Sequence, residues 1–354
     1  MKFKRHWNRL PLAAVCTRVI VVAGLSIPFA FAGCSSDSRL DSNLSPAAAA
    51  VKKLGGITVA HGSGPDNPIT SVQLNRTDAG DGDLENLAEL SELQELQLLE
   101  TSITDAGLVH LSGLKDLTSL NLKTTVVTDR GMSQLAGLTK LKTLNLSETA
   151  VGDNGMQALE GMTELQELWL ENTPVGDAGL AHVAALSRLK ILNLRGTNIT
   201  DAGMEHLQDL STLEILNLSN TGIGNDGLVY LKGMPSLREL DLVNTQVGDA
   251  GLAHIERTPK IYQLWLRGTQ VGSEGLAHLA RIGELGHLTD LHELDLWGTQ
   301  IDDDSLVHVR HLSSLRILHV GHTKVTRKGA ATLLEFLPHC FTPPYNRVLE
   351  NQSE

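Results

Sequence analysis

One 24-residue pattern occurs ten times between Leu93 and Leu337 and sets the strongest limit on how this chain can fold. Each copy reads L-x-x-L-x-L-x-x-T-x-V/I, usually followed by T-D-A-G-L-x-H-L-x-x-L. The copies begin at Leu93, Leu117, Leu141, Leu165, Leu189, Leu213, Leu237, Ile261, Leu291 and Leu315, and only the interval before Leu291 is longer, at 30 residues. A fixed period of this length is typical of a solenoid, in which each repeat packs on its neighbours.

The pattern within one repeat predicts a short strand followed by a short helical segment. We number the first residue of each repeat as position 1, so that positions 4 and 6 point to one side of a strand and positions 5 and 7 to the other. Threonine at position 9 in all ten repeats is expected to hydrogen-bond the backbone where it leaves the strand. Apolar residues at positions 16, 19 and 22 suit a short helix or 3₁₀ segment, opened by the T-D-A-G sequence, whose Thr or Asp caps the first N–H groups. Glycine at position 15, replaced only by Ser305, indicates a close backbone approach.

These residues resemble the leucine-rich-repeat superfamily over about 270 of the 354 positions, and in particular bacterial exported proteins with the repeat G-T-x-V-T-D-A-G-L-x-H-L. The resemblance implies an α/β fold, a curved solenoid with a parallel β-sheet on the concave face and short helices or 3₁₀ segments on the convex face. It also implies recognition of a protein partner on the concave face, without catalysis.

The first 33 residues are predicted to be a signal peptide. A basic leader without acidic residues precedes the apolar stretch 19–32, which is too short to cross a bilayer of about 30 Å. The following sequence, Phe31-Ala32-Gly33-Cys34-Ser35, resembles the lipobox of bacterial lipoproteins. The resemblance implies a lipid on Cys34, an anchor in the cell envelope and transfer to the outer membrane. An ordinary secretory signal with a chance cysteine is the alternative.

The remaining boundaries follow from composition and register. Residues 34–45 are rich in Ser, Asp and Asn and are predicted to form a flexible tether. Residues 46–68 are expected to be an N-terminal cap, with a helix from Pro46 to about Leu54 and then a loop. Residues 69–339 form the solenoid, with one degenerate and ten regular repeats, and residues 340–354 a C-terminal tail. The six extra residues around Leu285 are expected to lengthen the outer segment of the eighth repeat.

The charge of the chain argues against nucleic acid as a ligand. The formal net charge is −12, and removal of the five basic residues in the leader lowers Lys+Arg from 29 to 24 against 41 Asp+Glu, giving about −17. Phosphate backbones and anionic membrane surfaces attract basic proteins, so we expect contact with a membrane only through the lipid anchor. Cys340 would remain without an internal partner, and we interpret it as a small apolar cap residue.

The predicted binding surface is the concave sheet. Trp169 and Trp265 occupy position 5 and Trp297 occupies position 7, which both face away from the leucines. Exposed Trp and Arg in one patch are typical of interface hot spots. The residues predicted to contact the partner are Trp169, Trp265, Arg267, Asp295, Trp297 and His319. Carboxylates outnumber basic residues on this face, which favours a basic partner surface; an incidental aromatic cover and a generic solvated face remain the alternatives.

Other residue patterns give no support for chemistry. A histidine row at position 18 falls on the outer face, where neighbouring segments are about 8–10 Å apart and one zinc ion would be hard to surround. Residues 81–92 depart from a calcium loop at Asn86, and residues 302–304 resemble a helix opening that could hold a cation only weakly. Sequence motifs of zinc proteases, serine hydrolases and phosphate-binding loops do not occur. We therefore predict no cofactor, no metal and no enzyme activity. The alternative function is a structural envelope component that tethers surface layers without a discrete partner.

Overall fold

The computed structural model describes residues 45–61, 67–284, 288 and 290–343 of the chain. The predicted signal peptide, Cys34, the tether up to residue 44 and Leu285 of the insertion lie outside the described residues. The described residues belong to one compact unit. Among the described helices, none has the length and apolar character that crossing a membrane requires.

Each regular repeat contributes a three-residue strand at positions 3–5, and consecutive strands pair in chain order. The first pair is antiparallel and all later pairs are parallel, with the position-4 leucines in register across the sheet. The strands are β1 (Ile57–Ala60), β2 (Ile69–Gln73), β3 (Glu95–Gln97), β4 (Ser119–Asn121), β5 (Thr143–Asn145), β6 (Glu167–Trp169), β7 (Ile191–Asn193), β8 (Ile215–Asn217), β9 (Glu239–Asp241), β10 (Gln263–Trp265), β11 (Glu293–Asp295) and β12 (Ile317–His319).

Short helical segments lie on the opposite side of the core from the sheet. The α-helices are α1 (Pro46–Lys53), α2 (Asp81–Glu85), α3 (Asp129–Met132), α4 (Asp153–Met156), α5 (Asp177–Leu180), α6 (Asp249–Leu252), α7 (Ser273–Glu284) and α8 (Arg327–Phe336). The 3₁₀ segments are Gly107–Leu111, Gln157–Leu159, Asp201–Leu207, Asp226–Gly233, Ala253–Arg257 and Asp304–His311. The 12-residue α7 confirms, within the described residues, that the insertion lengthens the outer segment of the eighth repeat.

The core is a continuous column of apolar side chains between the sheet and the outer segments. In the central repeat Leu192 and Leu194 are fully buried, as are Ile199, Met204 and Leu207 of the outer side. Strands stack at about 4.8 Å whereas helical segments need about 8–10 Å, so the sheet takes the inside of the curve. The predicted leucine-rich-repeat solenoid is confirmed, and its sheet forms the concave face.

The aspartate of the T-D-A-G sequence acts between repeats and not within its own. Asp177 accepts hydrogen bonds from the backbone N–H of Thr200, at 2.8 Å, and from its hydroxyl, at 2.6 Å, one repeat further on. Asp105 does the same for Thr128. The expectation that Thr or Asp caps the segment is confirmed for the threonine, because Thr128 and Thr200 each accept the backbone N–H two residues on. Each Asp instead ties two coils together through bonds to a charged acceptor, which are among the stronger hydrogen bonds in proteins.

The glycine at position 15 makes room for that aspartate. A Cβ added to Gly131 would lie 2.5 Å from Oδ1 of Asp105, closer than carbon and oxygen can approach without a bond. Ser305, the one exception, follows a repeat that has Ser273 where the seven repeats before it have Asp or Asn. Ser305 then bonds Asp302 of its own repeat, at 2.7 Å. The close approach predicted for position 15 is thus confirmed, and its cause is the preceding aspartate.

Threonine at position 9 closes the turn that follows each strand. In the central repeat the Thr197 hydroxyl donates to the carbonyl of Leu194 at 2.6 Å, and the threonine is 5% exposed. The preceding position 8 has a positive φ, for example 55° at Asn220 and 65° at Gly196. The predicted structural role of the threonine row is confirmed, while the left-handed position before it is a feature that the sequence interpretation missed.

Both ends of the sheet are covered more fully than predicted. Helix α1 forms as expected, with Ser45 as its N-cap, but residues 57–60 are a strand and not part of a loop. Strand β1 pairs with β2 and covers the edge that the first repeat exposes. At the other end Phe341 pairs with Ile317, and Cys340 is 2% exposed in the core, which confirms its packing role. The cap therefore extends past the predicted boundary at residue 339.

Candidate protein-binding surface on strands β9 to β12

The predicted partner contacts divide into a cluster and one separate residue. Trp265, Asp295 and His319 are the last residues of the adjacent strands β10, β11 and β12. Arg267 and Trp297 follow two residues after β10 and β11, so these five residues lie together at the ends of three neighbouring strands. Trp169 lies on β6, four strands away from β10, or roughly 19 Å at ~4.8 Å per strand. The tryptophans are half-buried and are not part of the apolar core. We call the residues on the sheet side of β9–β12 the C-terminal sheet face.

Trp297 is held between neighbouring side chains and the backbone. The guanidinium of Arg267 lies 5.1 Å from the centre of its ring, and the ring of His322 is 4.7 Å away with a tilt of 32°. The indole also lies against Gly321, where an added Cβ would overlap the ring atoms Cζ3 and Cε3. Three separate contacts therefore fix the orientation of an aromatic ring on a solvent-facing sheet, which lowers the entropic cost of using it in binding.

Glu293 is the centre of a second group of contacts on the same face. His319 Nε2 lies 3.4 Å from one oxygen, Gln263 donates to the other at 2.7 Å, and the Trp265 side chain also hydrogen-bonds this carboxylate. The His319 hydrogen bond has the largest effect and, with those of Gln263 and Trp265, keeps the pKa of Glu293 below its ordinary value although burial opposes this. The predicted contact residue His319 thus positions Glu293.

Asp295 differs from the expectation that it faces a partner. The residue is 1% exposed, and its carboxylate accepts the backbone N–H of Trp297 at 2.9 Å. It is one of a row of position-5 Asn and Asp side chains that accept the N–H two residues on, namely Asn121, Asn145, Asn193, Asn217, Asp241 and Asp295. Asp295 is therefore a structural residue of the turn, and the prediction that it contacts a partner is wrong in this respect.

The two position-5 tryptophans interrupt this row. Trp169 and Trp265 stand where neighbouring repeats have Asn or Asp, and an indole cannot accept a hydrogen bond from a backbone N–H. The substitution removes a bond worth about 0.5–1.5 kcal/mol and adds apolar surface to a solvent-facing sheet. Residues that break a structural pattern without a structural gain are expected at functional sites.

Charge is arranged differently in the two halves of the sheet. In the N-terminal half, basic residues neutralise carboxylates at the strand ends: Arg76 binds Glu100 at 3.1 Å, and Lys123 binds Glu148 at 3.0 Å. The hydrogen bond from Lys123 lowers the pKa of Glu148. On the C-terminal sheet face the guanidinium of Arg267 lies over Trp297. Basic side chains therefore neutralise the predicted acidic charge of the face mainly in its N-terminal half.

Residues of the patterns for which the sequence gave no support for chemistry are engaged in local contacts. His182 of the histidine row bonds Glu160 at 2.8 Å. Asp81 bonds Thr104, and Asp83 caps the N–H of Gly80, as parts of the repeat. Among the described residues, no three His, Cys, Asp or Glu side chains are grouped closely enough to hold a metal ion.

Two leucine-rich-repeat family models match parts of the chain. Residues 187–247 match a model described as leucine rich repeat, and residues 137–159 match a second model of the same description. A search of curated proteins finds no match to this chain.

Solved structures with the same fold include the following two. An internalin from Listeria monocytogenes str. 4b F2365 aligns over 84% of this chain and 92% of its own length, with 20% identity and a TM-score of 0.53. A chain of the PEPR1–AtPEP1 structure aligns over 77% of this chain and 41% of its own length, with 18% identity and a TM-score of 0.51. At these identities the similarity establishes the fold alone.

Proposed function

We propose that this leucine-rich-repeat protein is a non-enzymatic scaffold that binds a protein partner through its concave sheet, with the centre of the contact at Trp265, Arg267 and Trp297. The proposal includes export and an anchor in the bacterial cell envelope through a lipid on Cys34. Solenoids of this superfamily commonly serve as protein-binding scaffolds, and one similar structure is described as that of PEPR1-AtPEP1.

The observation that carries the proposal is the placement of the tryptophans. Trp265 stands at a position where neighbouring repeats have a structural Asn or Asp. Trp297 is held by Arg267, His322 and Gly321 on the sheet face, outside the apolar core. Large aromatic and arginine side chains supply most of the free energy in protein interfaces. Packing within the chain gives no comparable reason for them.

Capture of the partner from detergent-solubilised envelope tests the proposal. We expect the wild-type chain to retain one protein in stoichiometric amount, and the triple variant Trp265→Ala/Arg267→Ala/Trp297→Ala to lose it. The matched control replaces three exposed valines of the outer face with alanine: Val109, Val229 and Val307. This control should bind as the wild type does.

Two results contradict the proposal. Equal capture by the wild type and the triple variant means that the contact lies elsewhere. Absence of any stoichiometric partner, with unchanged association of the protein with envelope fractions, supports a tethering role without a discrete partner.

The lipid anchor has its own test. We expect Cys34→Ser to abolish incorporation of radiolabelled palmitate and to move the protein from the detergent phase to the aqueous phase, since a thioether-linked lipid needs the thiol. Cys340→Ser serves as the control, because that cysteine is buried and burial raises its pKa to about 11. Labelling that persists in Cys34→Ser contradicts the proposed anchor.

A further inference from the structure

Glu239 has a buried carboxylate oxygen that receives no hydrogen bond from the described residues. It is the first residue of β9, is 8% exposed, and its Oε2 has no hydrogen-bond partner among the described residues. Burial raises its pKa, the charge of Glu293 raises it further, and Arg238 opposes both. A buried polar atom without a partner is costly and calls for an explanation, since such atoms are rare in folded proteins.

The neighbouring donors are directed to a different carboxylate. Gln263 is the register partner of both Glu239 and Glu293, and its amide donates to Glu293 at 2.7 Å. The Trp265 and His319 side chains bond Glu293 as well. Glu293 and Glu239 thus lie on either side of Gln263. Glu293 receives the hydrogen bonds of its neighbours, whereas Glu239 remains available to a donor from outside the chain.

A positively charged donor suits Glu239 best. The carboxylate lies on a face with a second carboxylate two strands away, so a cation is attracted by both charges in a partly desolvated setting. The terminal torsion of a glutamate is broad, so a small rotation turns an oxygen towards the face. Trp265 is the diagonal neighbour of Glu239 at roughly 8 Å, from a strand spacing of ~4.8 Å and a rise of ~3.3 Å per residue.

We propose that Glu239 accepts one basic side chain, a lysine or arginine of the protein partner, which lies on the sheet between Glu239 and Trp265. This inference rests on the proposed function and names the chemistry of its contact. The aliphatic stem of such a side chain packs on an indole, and the cationic head is attracted to the aromatic face. A divalent cation fits less well, because the described residues do not group three ligands.

A titration with small probes tests the subsite directly. N-acetyl-arginine amide and N-acetyl-lysine amide are added to the protein while the indole N–H resonances are followed by NMR. We expect a saturable shift of the Trp265 resonance, and an affinity at least tenfold lower in Glu239→Gln. The matched control is Glu167→Gln, which lies at the same position of β6 and also precedes a tryptophan by two residues. It should bind the probes as the wild type does.

Three results overturn the inference. The first is an unchanged probe affinity in Glu239→Gln, and the second is an equal response to N-acetyl-citrulline amide, which is neutral. The third is a shift of the same resonance by calcium chloride with none by the basic probes, which assigns a metal ion to the site. Because Glu239→Gln keeps the shape of the side chain and removes a buried charge, we expect it to fold as the wild type does.

The capture experiment separates failure of the subsite from failure of the proposed function. If the Trp265/Arg267/Trp297 variant loses the partner and Glu239→Gln retains it at wild-type affinity, the sheet is the binding surface and the subsite is wrong. If the triple variant retains the partner, the proposed function itself fails, whatever the probes show.

Discussion

Replacement of Gly203 by serine is expected to lower the free energy of unfolding by about 2.5–6 kcal/mol. An added Cβ overlaps Oδ1 of Asp177 and lies 3.2 Å from its Cγ and from Leu180 Cδ1. Overpacking of this kind costs about 1–3 kcal/mol. Movement of Asp177 also breaks its two bonds to Thr200, and hydrogen bonds to a charged group contribute about 1.5–3 kcal/mol.

The cost should fall when the aspartate is removed as well. Asp177→Ser alone loses the bonds to Thr200 and should cost about 1.5–3 kcal/mol. In the double variant Asp177→Ser/Gly203→Ser there is no carboxylate to collide with, as in the natural pair Ser273 and Ser305. We expect the loss of unfolding free energy in the double variant to be at least ~1 kcal/mol smaller than the sum of the two single losses, because the two residues are in contact.

Urea unfolding, followed by both circular dichroism and tryptophan fluorescence, measures these differences. Gly113→Ser is the control, since nothing lies within 4 Å of an added Cβ there, and it should change stability by less than about 0.5 kcal/mol. If the two single effects on stability simply add, the contact between Asp177 and Gly203 is not what requires glycine at position 15.

The sequence predicted those features that depend on a residue and its immediate neighbours in the chain. The alternation of leucines fixes which side of each strand is buried, and the invariant threonine can reach only the backbone three residues before it. Both features repeat in every coil, so a single pattern determines them throughout. The order of strands follows as well, because a coil of 24 residues can pair only with the next one.

Contacts between coils were harder to predict, because the partner residue is about one repeat away. The need for glycine at position 15 was evident, but the aspartate that imposes it lies 26 residues earlier, as Asp177 does for Gly203. The joint change at Ser273 and Ser305 was the available signal. Strand β1 was missed for a related reason, since Ile57–Ala60 becomes a strand only by pairing with the edge of β2.

The sequence predicted that the candidate residues lie on the sheet, but not the contacts that they make with one another. Alternation places position 5 on the open face, yet Asp295 is buried there because the next turn and its neighbours close over it. The recurrence of Asn and Asp at that position indicated a bond to the backbone. The sequence also gave no means of separating Glu239 from Glu293, because the orientation of Gln263 decides which of them receives its hydrogen bond.

Gly321→Ala is expected to weaken binding of the captured partner by about 30-fold, corresponding to about 2 kcal/mol, without altering any side chain that the partner contacts. The added methyl group overlaps the Trp297 ring, so the indole has to leave its place beside Arg267 and His322. The ring lies on the sheet surface and can rotate away, so stability should change by less than about 1 kcal/mol.

The same substitution in a Trp297→Ala background distinguishes positioning from general damage. Trp297→Ala alone should lower affinity by at least the same factor, and adding Gly321→Ala should then have no further effect, because the ring that the methyl group displaces is absent. Near-ultraviolet circular dichroism of Gly321→Ala should change in the tryptophan bands, which reports the new ring orientation without any partner. An altered spectrum with undiminished affinity would mean that the fixed orientation of Trp297 has no part in recognition, even if the sheet remains the surface that binds.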